Sequence, residues 1–228
     1  MSRLFLLLAA FATVFLSGCS LPEMIISGVG RSVTGSGNLI TLEPANQDFS
    51  RVEFSHAFQA EVTQGESYSV VITIDDNLEQ YLEVSQDGDT LKVGMEPGLM
   101  LSLRNTTMQA RITMPELTGV NGSGATRITI GGFESGQDLA IDVSGASTLR
   151  GQIDAGDLRA DVSGASQANL SDFRLQNVDV EASGASRAEV NASGRLDAEA
   201  SGASTVLYSG DPTLGRTNTS GASTIRAR

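Results

Sequence analysis

The sequence predicts an all-β protein, built mainly as a parallel β-helix-like solenoid with coils of about twenty residues. Three observations support this fold class. A motif of small residues recurs at regular intervals in the C-terminal half. Apolar and polar residues alternate along much of the chain, as they do in half-buried strands. Gly, Ser, Asp and Asn are also too frequent for helices, and Gly alone contributes 25 of the 228 residues.

The N-terminus resembles the signal peptide of a bacterial lipoprotein over residues 1–18. Arg3 precedes an apolar run at residues 4–16, which is too short to span a bilayer comfortably. The run ends in the letters LSGC, which resemble a lipobox, so Cys19 would become the lipidated first residue. It is the only cysteine, which excludes a disulfide within the chain. The alternative is an ordinary signal peptide that contains a cysteine by chance.

We therefore predict that residues 19–38 form a lipidated tether that attaches the protein to a membrane. Ser20 follows the cysteine at the position where many lipoproteins retained in the inner membrane carry Asp. By this resemblance we expect an anchor in the outer membrane of the bacterial cell envelope, with the protein facing either the periplasm or the exterior. The remainder, residues 39–228, is predicted to be a single domain.

The first part of this domain, residues 39–118, is predicted to contain mixed β-structure. Period-two alternation marks strands in SRVEFSHAFQAEVTQG, YSVVITID and TLKVGM. The segment 75–82 is the one short helical candidate. The letters QDGDT predict a hairpin turn, because an Asp-Gly pair accepts positive φ angles.

The second part, residues 119–228, is a true repeat. The first Ser of each copy of the small-residue motif falls at positions 123, 144, 163, 183, 201 and 220. Two mostly apolar columns at fixed offsets from that Ser are predicted to face inward: Val120, Ile141, Ala160, Val180, Ala198 and Thr217, and Ile128, Leu149, Ala168, Ala188, Val206 and Ile225. Each repeat would bury these residues by stacking on its neighbours.

The motif itself, usually written SGAS, is interpreted as a structural corner that recurs once per coil. Gly accepts the bent backbone of a tight corner, and Ala and Ser occupy little volume. A catalytic role for these serines would need a general base within hydrogen-bond reach. The only histidine is His56, which we interpret as a turn or surface residue outside the repeats. Zinc-type spacing of Cys and His is also absent. We predict that the protein is not an enzyme.

One polar column is a candidate for a cation- or ligand-binding face. Two positions before each corner Ser stand Asn121, Asp142, Asp161, Glu181, Glu199 and Asn218. Like charges on adjacent strands repel each other, so we expect compensation from Arg127, Arg150, Arg159, Arg187 and Arg195. Two interpretations remain open: a solvated face with local ion pairs, or a site for Ca²⁺, which accepts several carboxylate oxygens in a flexible geometry.

The chain resembles the autotransporter adhesin head GIN domain family through most of its mature length. The resemblance is carried by FSRVEFSHAFQAEVTQGESYSVVITIDDNLEQYLEV, DTLKV, ITMPELTGVNGSGAT, the SGAS coils and VLYSGDPTLGRTNTSGASTI. It implies a right-handed parallel β-helix-like fold, in agreement with the handedness of parallel crossovers. It also implies frequent anchoring in the cell envelope and no established biochemical activity.

Three functional hypotheses follow. The first is a non-catalytic envelope lipoprotein that displays its surface for adhesion, scaffolding or binding of a glycan or protein. The second is a glycan-active β-helix lyase or hydrolase, which would need a groove with two juxtaposed carboxylates. The third is homo-oligomerisation through the exposed strand edge of the last coil. Nucleic-acid binding is not expected, because the formal charge of −12 repels a polyanionic duplex.

Overall fold

The computed structural model describes residues 31–96, 101–134 and 136–228, with 62% of residues in strands and 3% in helix. The predicted signal peptide, Cys19 and the first part of the predicted tether lie outside the described residues. The strands of the first part are β1 (Arg31–Thr34), β2 (Leu39–Leu42), β3 (Arg51–Phe54), β4 (Gln59–Gln64), β5 (Ser69–Asp75), β6 (Leu82–Asp87), β7 (Thr90–Met95), β8 (Leu101–Arg104) and β9 (Met108–Met114).

The described residues of the repeat region form twelve further strands. They are β10 (Gly119–Gly122), β11 (Arg127–Glu134), β12 (Leu139–Val143), β13 (Thr148–Asp154), β14 (Leu158–Val162), β15 (Gln167–Leu175), β16 (Val178–Ala182), β17 (Arg187–Ala192), β18 (Arg195–Ala200), β19 (Thr205–Gly210), β20 (Thr213–Thr219) and β21 (Thr224–Ala227). Each coil places one strand in each of two sheets, with an SGAS-type corner between them.

The two main sheets confirm the predicted β-solenoid. The nine-stranded sheet has the order β20-β18-β16-β14-β12-β10-β3-β7-β6, and the ten-stranded sheet has the order β2-β5-β9-β4-β11-β13-β15-β17-β19-β21. Strands of successive coils pair in parallel. Both predicted inward columns are aligned in these ladders, as the pairs Ile141–Ala160 and Leu149–Ala168 illustrate. The small-residue coils stack over about 5 turns.

The chain does not add its coils in simple order. Its first coil, β3–β4, lies in the middle of the stack, between β7–β9 on one side and β10–β11 on the other. Among the described residues, antiparallel pairing is confined to the first part of the chain, where β5 pairs with β2 and β9, and β6 with β7. The β6–β7 pair is the predicted hairpin, and its Gly88 has a φ of 59°. Strand β1, in the predicted tether, pairs with β8.

The predicted helical segment is a 3-10 helix at Asp76–Tyr81 that buries Leu78. Asp75 precedes this helix, and its side chain accepts hydrogen bonds from the backbone N–H groups of Gly37 and Thr107, both at 2.7 Å. These bonds connect the helix to two neighbouring segments. Within the described ranges, no helix is long and apolar enough to cross a membrane.

The repeated corner is explained by a column of glycines. Gly145, Gly164, Gly184 and Gly202 have φ angles of 72–76°, in the left-handed region that favours glycine. A Cβ atom on Gly164 would lie 2.5 Å from the carbonyl oxygen of Gly145 in the coil below. Glycine is therefore required twice, for its backbone conformation and for the close approach of the next coil.

The second Ser of the motif points into the core and bonds to the coil below. The hydroxyl of Ser186 donates to the carbonyl of Val162 at 2.8 Å, and the hydroxyl of Ser204 donates to Ala182 at 2.9 Å. Both serines are buried. A hydroxyl group can therefore lie in the apolar interior at this position because a backbone oxygen is within reach.

Candidate functional site

The predicted acidic column lies on the outer face of the nine-stranded sheet. Its six members pair in register from one strand to the next: Asn121, Asp142, Asp161, Glu181, Glu199 and Asn218. Two further residues extend the column, because Glu53 pairs with Asn121 and Lys92 pairs with Glu53. Repeat spacing could not identify them, since they precede the regular motifs. The result is one continuous file of charged and amide side chains.

Ion pairs neutralise the part of this column that lies near the last coil. Arg159 donates to Asp179 and Glu181, both at 3.1 Å. Arg216, which was not among the predicted partners, lies 3.8 Å from Glu199. The half of the file near the last coil therefore resembles the predicted solvated face with local ion pairs.

Four of the five predicted counter-charges do not neutralise the acidic column. Arg195 forms its ion pair with Asp197, in a neighbouring column. Arg127, Arg150 and Arg187 lie on the outer face of the ten-stranded sheet, on strands β11, β13 and β17. Their prediction was wrong because the chain passes through the SGAS corner between the acidic residue and the arginine, which places the two on different sheets.

The middle of the acidic column is electrostatically distinct. Asp142 and Asp161 are adjacent in the ladder, and neither forms an ion pair or a side-chain hydrogen bond within the described ranges. The pKa of Asp142 is raised, first by partial burial and second by the neighbouring charge of Asp161. This pair is therefore the least compensated negative charge on the face.

A second column borders a shallow depression on the same sheet. It contains Arg51, Arg159, Asp179 and Asp197, and the depression has a volume of ≈ 450 Å³. Hydrogen bonds from Arg195 and from the backbone N–H of Arg216 lower the pKa of Asp197 to about 2. Its carboxylate thus remains ionised and is already occupied by partners.

Asp and Asn side chains stabilise the turns at the rim of this depression. Asp138 accepts a bond from the N–H of Asp157 at 2.9 Å, Asp157 accepts one from the N–H of Asn177 at 3.1 Å, and Asn177 accepts one from the N–H of Arg195 at 2.9 Å. Each side chain therefore bonds to the backbone of the next coil. We assign these residues to turn formation.

The carboxylates do not converge on a point where a metal ion could be held. The described residues contain no group of three or more His, Cys, Asp or Glu side chains with that arrangement. The acidic residues stand one per strand in a line, about 4.8 Å apart, whereas Ca²⁺ takes six to eight surrounding oxygens. The proposed Ca²⁺ face would therefore have to use water or a ligand for most of its coordination.

His56 lies in a turn, as predicted, and this turn occupies a corner of the solenoid below the first of the repeated corners. Strand β3 pairs with β10, and this register brings His56 beneath Gly124 of the next corner. Its φ of 58° is the left-handed conformation that glycine adopts in the later coils. The ring nitrogen Nδ1 lies 2.8 Å from the hydroxyl of Ser55 and 3.4 Å from the backbone nitrogen of Met95. No carboxylate in the described chain hydrogen-bonds to this ring.

The outer face of the ten-stranded sheet carries a different set of side chains. Arg111, Arg127 and Arg150 line one depression of ≈ 390 Å³ together with Glu61. Sequence reasoning assigned two of these arginines to the acidic column and did not consider the third. The two outer faces of the solenoid therefore differ in their charge.

These features define a class of protein: a β-solenoid that presents two long, open faces of polar and charged side chains. A family model described as "Putative auto-transporter adhesin, head GIN domain" matches residues 48–212, which is most of the chain. The protein belongs to this family, as its sequence resemblance implied. No curated protein sequence matches it significantly.

Solved structures of several bacterial proteins share the fold. A "putative adhesin" from Bacteroides fragilis NCTC 9343 has a TM-score of 0.63 and 21% identity, with 86% of this chain and 100% of that chain covered. A "putative lipid binding protein" from Parabacteroides distasonis ATCC 8503 has a TM-score of 0.60 and 20% identity, with coverage of 87% and 100%. A "putative adhesin" from Parabacteroides merdae ATCC 43184 has a TM-score of 0.54 and 17% identity, with coverage of 86% and 99%.

Proposed function

We propose that the protein is a non-catalytic lipoprotein of the bacterial cell envelope that displays its solenoid as a surface for adhesion, scaffolding or binding of a glycan or protein. The description of its family as an adhesin head supports this role. The names of the solved relatives, which refer to adhesins and a lipid binding protein, agree with it. In this proposal the lipid on Cys19 holds the protein at the outer membrane.

The arrangement of exposed side chains is the observation that carries this proposal. Nine or ten strands stacked about 4.8 Å apart give each face a length of roughly 40 Å. Along the face of the nine-stranded sheet, polar side chains recur at every strand in register. A long, regular and open surface suits contact with another extended molecule better than it suits enclosure of a small substrate.

Anchoring is tested by labelling expressing cells with a radioactive fatty acid. We expect label on the wild-type chain and its recovery in the outer-membrane fraction. The variant Cys19→Ala should lose both, whereas Ser17→Ala, which keeps the thiol, should retain both. Label on the Cys19→Ala chain would contradict anchoring through this residue.

Display is tested by treating intact cells with protease and by measuring their attachment to envelope glycans and proteins on a surface. We expect cleavage of the solenoid in intact cells and weaker attachment when the protein is absent. A chain that is protected from protease, with unchanged attachment after deletion, would contradict a role in adhesion. A scaffolding role would then have to act inside the envelope.

The alternative is a glycan-active enzyme, and two observations favour it. Asp142 and Asp161 are in register on adjacent strands whose backbones lie about 4.8 Å apart, a spacing that allows the carboxyl separation of about 5–5.5 Å found in retaining glycosidases. The raised pKa of Asp142 is also the property that a general acid requires. We therefore propose incubating the protein with envelope polysaccharides. If a polysaccharide is turned over, and if each of the single variants Asp142→Asn and Asp161→Asn abolishes this turnover, the protein is an enzyme and the non-catalytic proposal is contradicted.

A further inference from the structure

Most arginines of the described repeat region already have an acidic partner. Six of them, spread over the later coils, form ion pairs with Asp or Glu at 3.8 Å or less: Arg159, Arg174, Arg187, Arg195, Arg216 and Arg228. Arg127 and Arg150, by contrast, form no ion pair or side-chain hydrogen bond within the described ranges. They lie together in the depression on the outer face of the ten-stranded sheet.

A third arginine lies in the same depression. Arg111 is on β9 and lies 3.8 Å from Glu61 on β4, and both side chains are mostly exposed to solvent. The strands follow in the order β9, β4, β11 and β13, so Arg111 and Arg150 are separated by three strand spacings, or roughly 14 Å. Arg127 lies between them on β11. Three positive charges therefore face one negative charge across a surface about the size of two sugar rings.

The neutral side chains around these arginines are also without partners. Gln59 and Gln109 line the depression, are adjacent in the ladder, and form no side-chain hydrogen bond in the described chain. An amide group can both donate to and accept from a hydroxyl group. The combination of free guanidinium groups with free amides matches a ligand that carries both an anionic group and hydroxyls.

The depression continues along the sheet into a second hollow. Thr129 and Arg150 line both, and the second hollow has a volume of ≈ 520 Å³. Its wall includes Gly131, Gly132 and Gly151, which have no side chains to close it. The two hollows together form an open path across the strands, which an extended chain could follow.

The charge of the whole protein is negative, but the acidic column is on the other sheet. Face-to-face sheets are about 10 Å apart, which is close to the screening length at physiological salt. The field at the arginine depression is thus set mainly by its own side chains. Arginine is suited to this role because its planar guanidinium binds carboxylate, sulfate or phosphate oxygens in pairs.

We propose that the depression of Arg111, Arg127 and Arg150 binds an acidic glycan, through an oxyanion on one sugar and hydroxyls on its neighbours. Arg127 and Arg150 contact the oxyanion, and Gln59 and Gln109 bind hydroxyls. The inference deepens the proposed function, on which it rests, by naming the class of ligand and the face that takes it. The acidic column on the opposite sheet has no part in this contact.

The experiment measures binding of the full-length protein, held in an uncharged detergent, to immobilised glycans. Polygalacturonate and its methyl ester test the carboxylate, and dextran sulfate and neutral dextran test the sulfate. We expect binding to at least one of the charged polymers, weakening with salt, and much weaker binding to its uncharged counterpart. The double variant Arg127→Gln/Arg150→Gln should lose about tenfold or more in affinity, as expected for charge-assisted hydrogen bonds.

The matched control is the double variant Arg174→Gln/Arg187→Gln. It removes the same charge from the same sheet, but from arginines that are already paired, so its affinity should stay within about twofold of wild type. Circular dichroism of both variants checks that they fold alike.

Absence of binding by the wild type would overturn the inference, as would equal losses in the two double variants. Binding to phosphatidylglycerol vesicles but to neither charged glycan would overturn it in favour of a lipid surface. Lipid labelling and protease treatment of cells that carry Arg127→Gln/Arg150→Gln report on the proposed function separately. If anchoring and exposure persist while glycan binding is absent in the wild type, only the ligand assignment fails.

Discussion

Replacement of one corner glycine should destabilise the solenoid strongly, and the structure separates the causes. Gly164 has a φ of 72°, so an alanine at this position must adopt the left-handed conformation, at a cost of about 1–2 kcal/mol. Its Cβ would also lie 2.5 Å from the Gly145 oxygen and 3.1 Å from the Gly145 nitrogen. That oxygen cannot move away freely, because it accepts a 2.8 Å hydrogen bond from the N–H of Ala165.

Relief of this clash requires the two coils to separate locally, which we expect to cost about 1–3 kcal/mol in addition, as for other overpacked sites. The total expected for Gly164→Ala is therefore about 2–5 kcal/mol in the free energy of unfolding. The assay is urea denaturation followed by far-UV circular dichroism. The midpoint should fall while the slope of the transition stays constant.

Two neighbouring glycines provide matched controls. Gly132 has a φ of 79° and no atom within 4 Å of its added Cβ, so Gly132→Ala should show only the conformational cost, about 1–2 kcal/mol. Gly131 has neither the left-handed conformation nor a close neighbour, so Gly131→Ala should change stability little. If Gly164→Ala were at least as stable as Gly132→Ala, the clash between stacked corners would contribute nothing to the cost, contrary to this prediction.

Three other predictions concern charge and assembly. The pKa of Asp197 is about 2 in the folded protein, compared with 3.8 for an unperturbed Asp. The stability that Asp197 provides with Arg195 is therefore present above about pH 4 and is lost as the pH falls toward 2. Over this range, acid denaturation should lower the stability of the Asp197→Asn variant less than that of the wild type. The pKa of Asp142 should fall toward its ordinary value in Asp161→Asn, as measured by NMR titration of the carboxyl carbon, and no change would contradict coupling between the two groups. The last strands, β20 and β21, form sheet edges, and we expect the protein to self-associate through them. Light scattering measures this, and a strict monomer at high concentration would contradict the prediction.

The repeat columns could be predicted from the sequence because stacked coils impose the same packing constraint on equivalent residues. A residue such as Ala160 must face inward at the same offset as Ile141, and the offset is visible as a period in the sequence. The glycine corner was predictable for the same reason. Its second requirement, the close approach of the carbonyl of the previous coil, is visible only in the structure.

The coil β3–β4 was missed as a repeat because its corner lacks glycine. In FSHAF, His56 takes the left-handed position that Gly124 takes in GSGAT. Alignment of these two segments by their flanking alternation would have supplied the missing signal. The interleaved order of the first coils could not be predicted, because it depends on the antiparallel strands β5 and β6, whose partners are set by packing across the whole N-terminal part.

The candidate sites likewise include contacts that the repeat predicts and contacts that it does not. Vertical neighbours, such as Asp142 and Asp161, follow from the repeat alone. Contacts between residues on opposite sides of a corner cannot be predicted from the repeat, because the repeat spacing does not indicate on which sheet a residue lies. The acidic column was therefore found in sequence, whereas the arginine depression and the role of Arg216 required the fold.

Registry of the coils underlies both the core and the two outer faces, and distances between spin labels along the acidic column measure this registry. In a Cys19→Ala background, labels introduced by Glu53→Cys with Glu181→Cys span four strand spacings, and Glu53→Cys with Asn218→Cys span six. At about 4.8 Å per strand, the backbone separations should be roughly 19 and 29 Å. Label distances that increase by about 10 Å from the first pair to the second would support the stacked file, and equal or decreasing distances would contradict it.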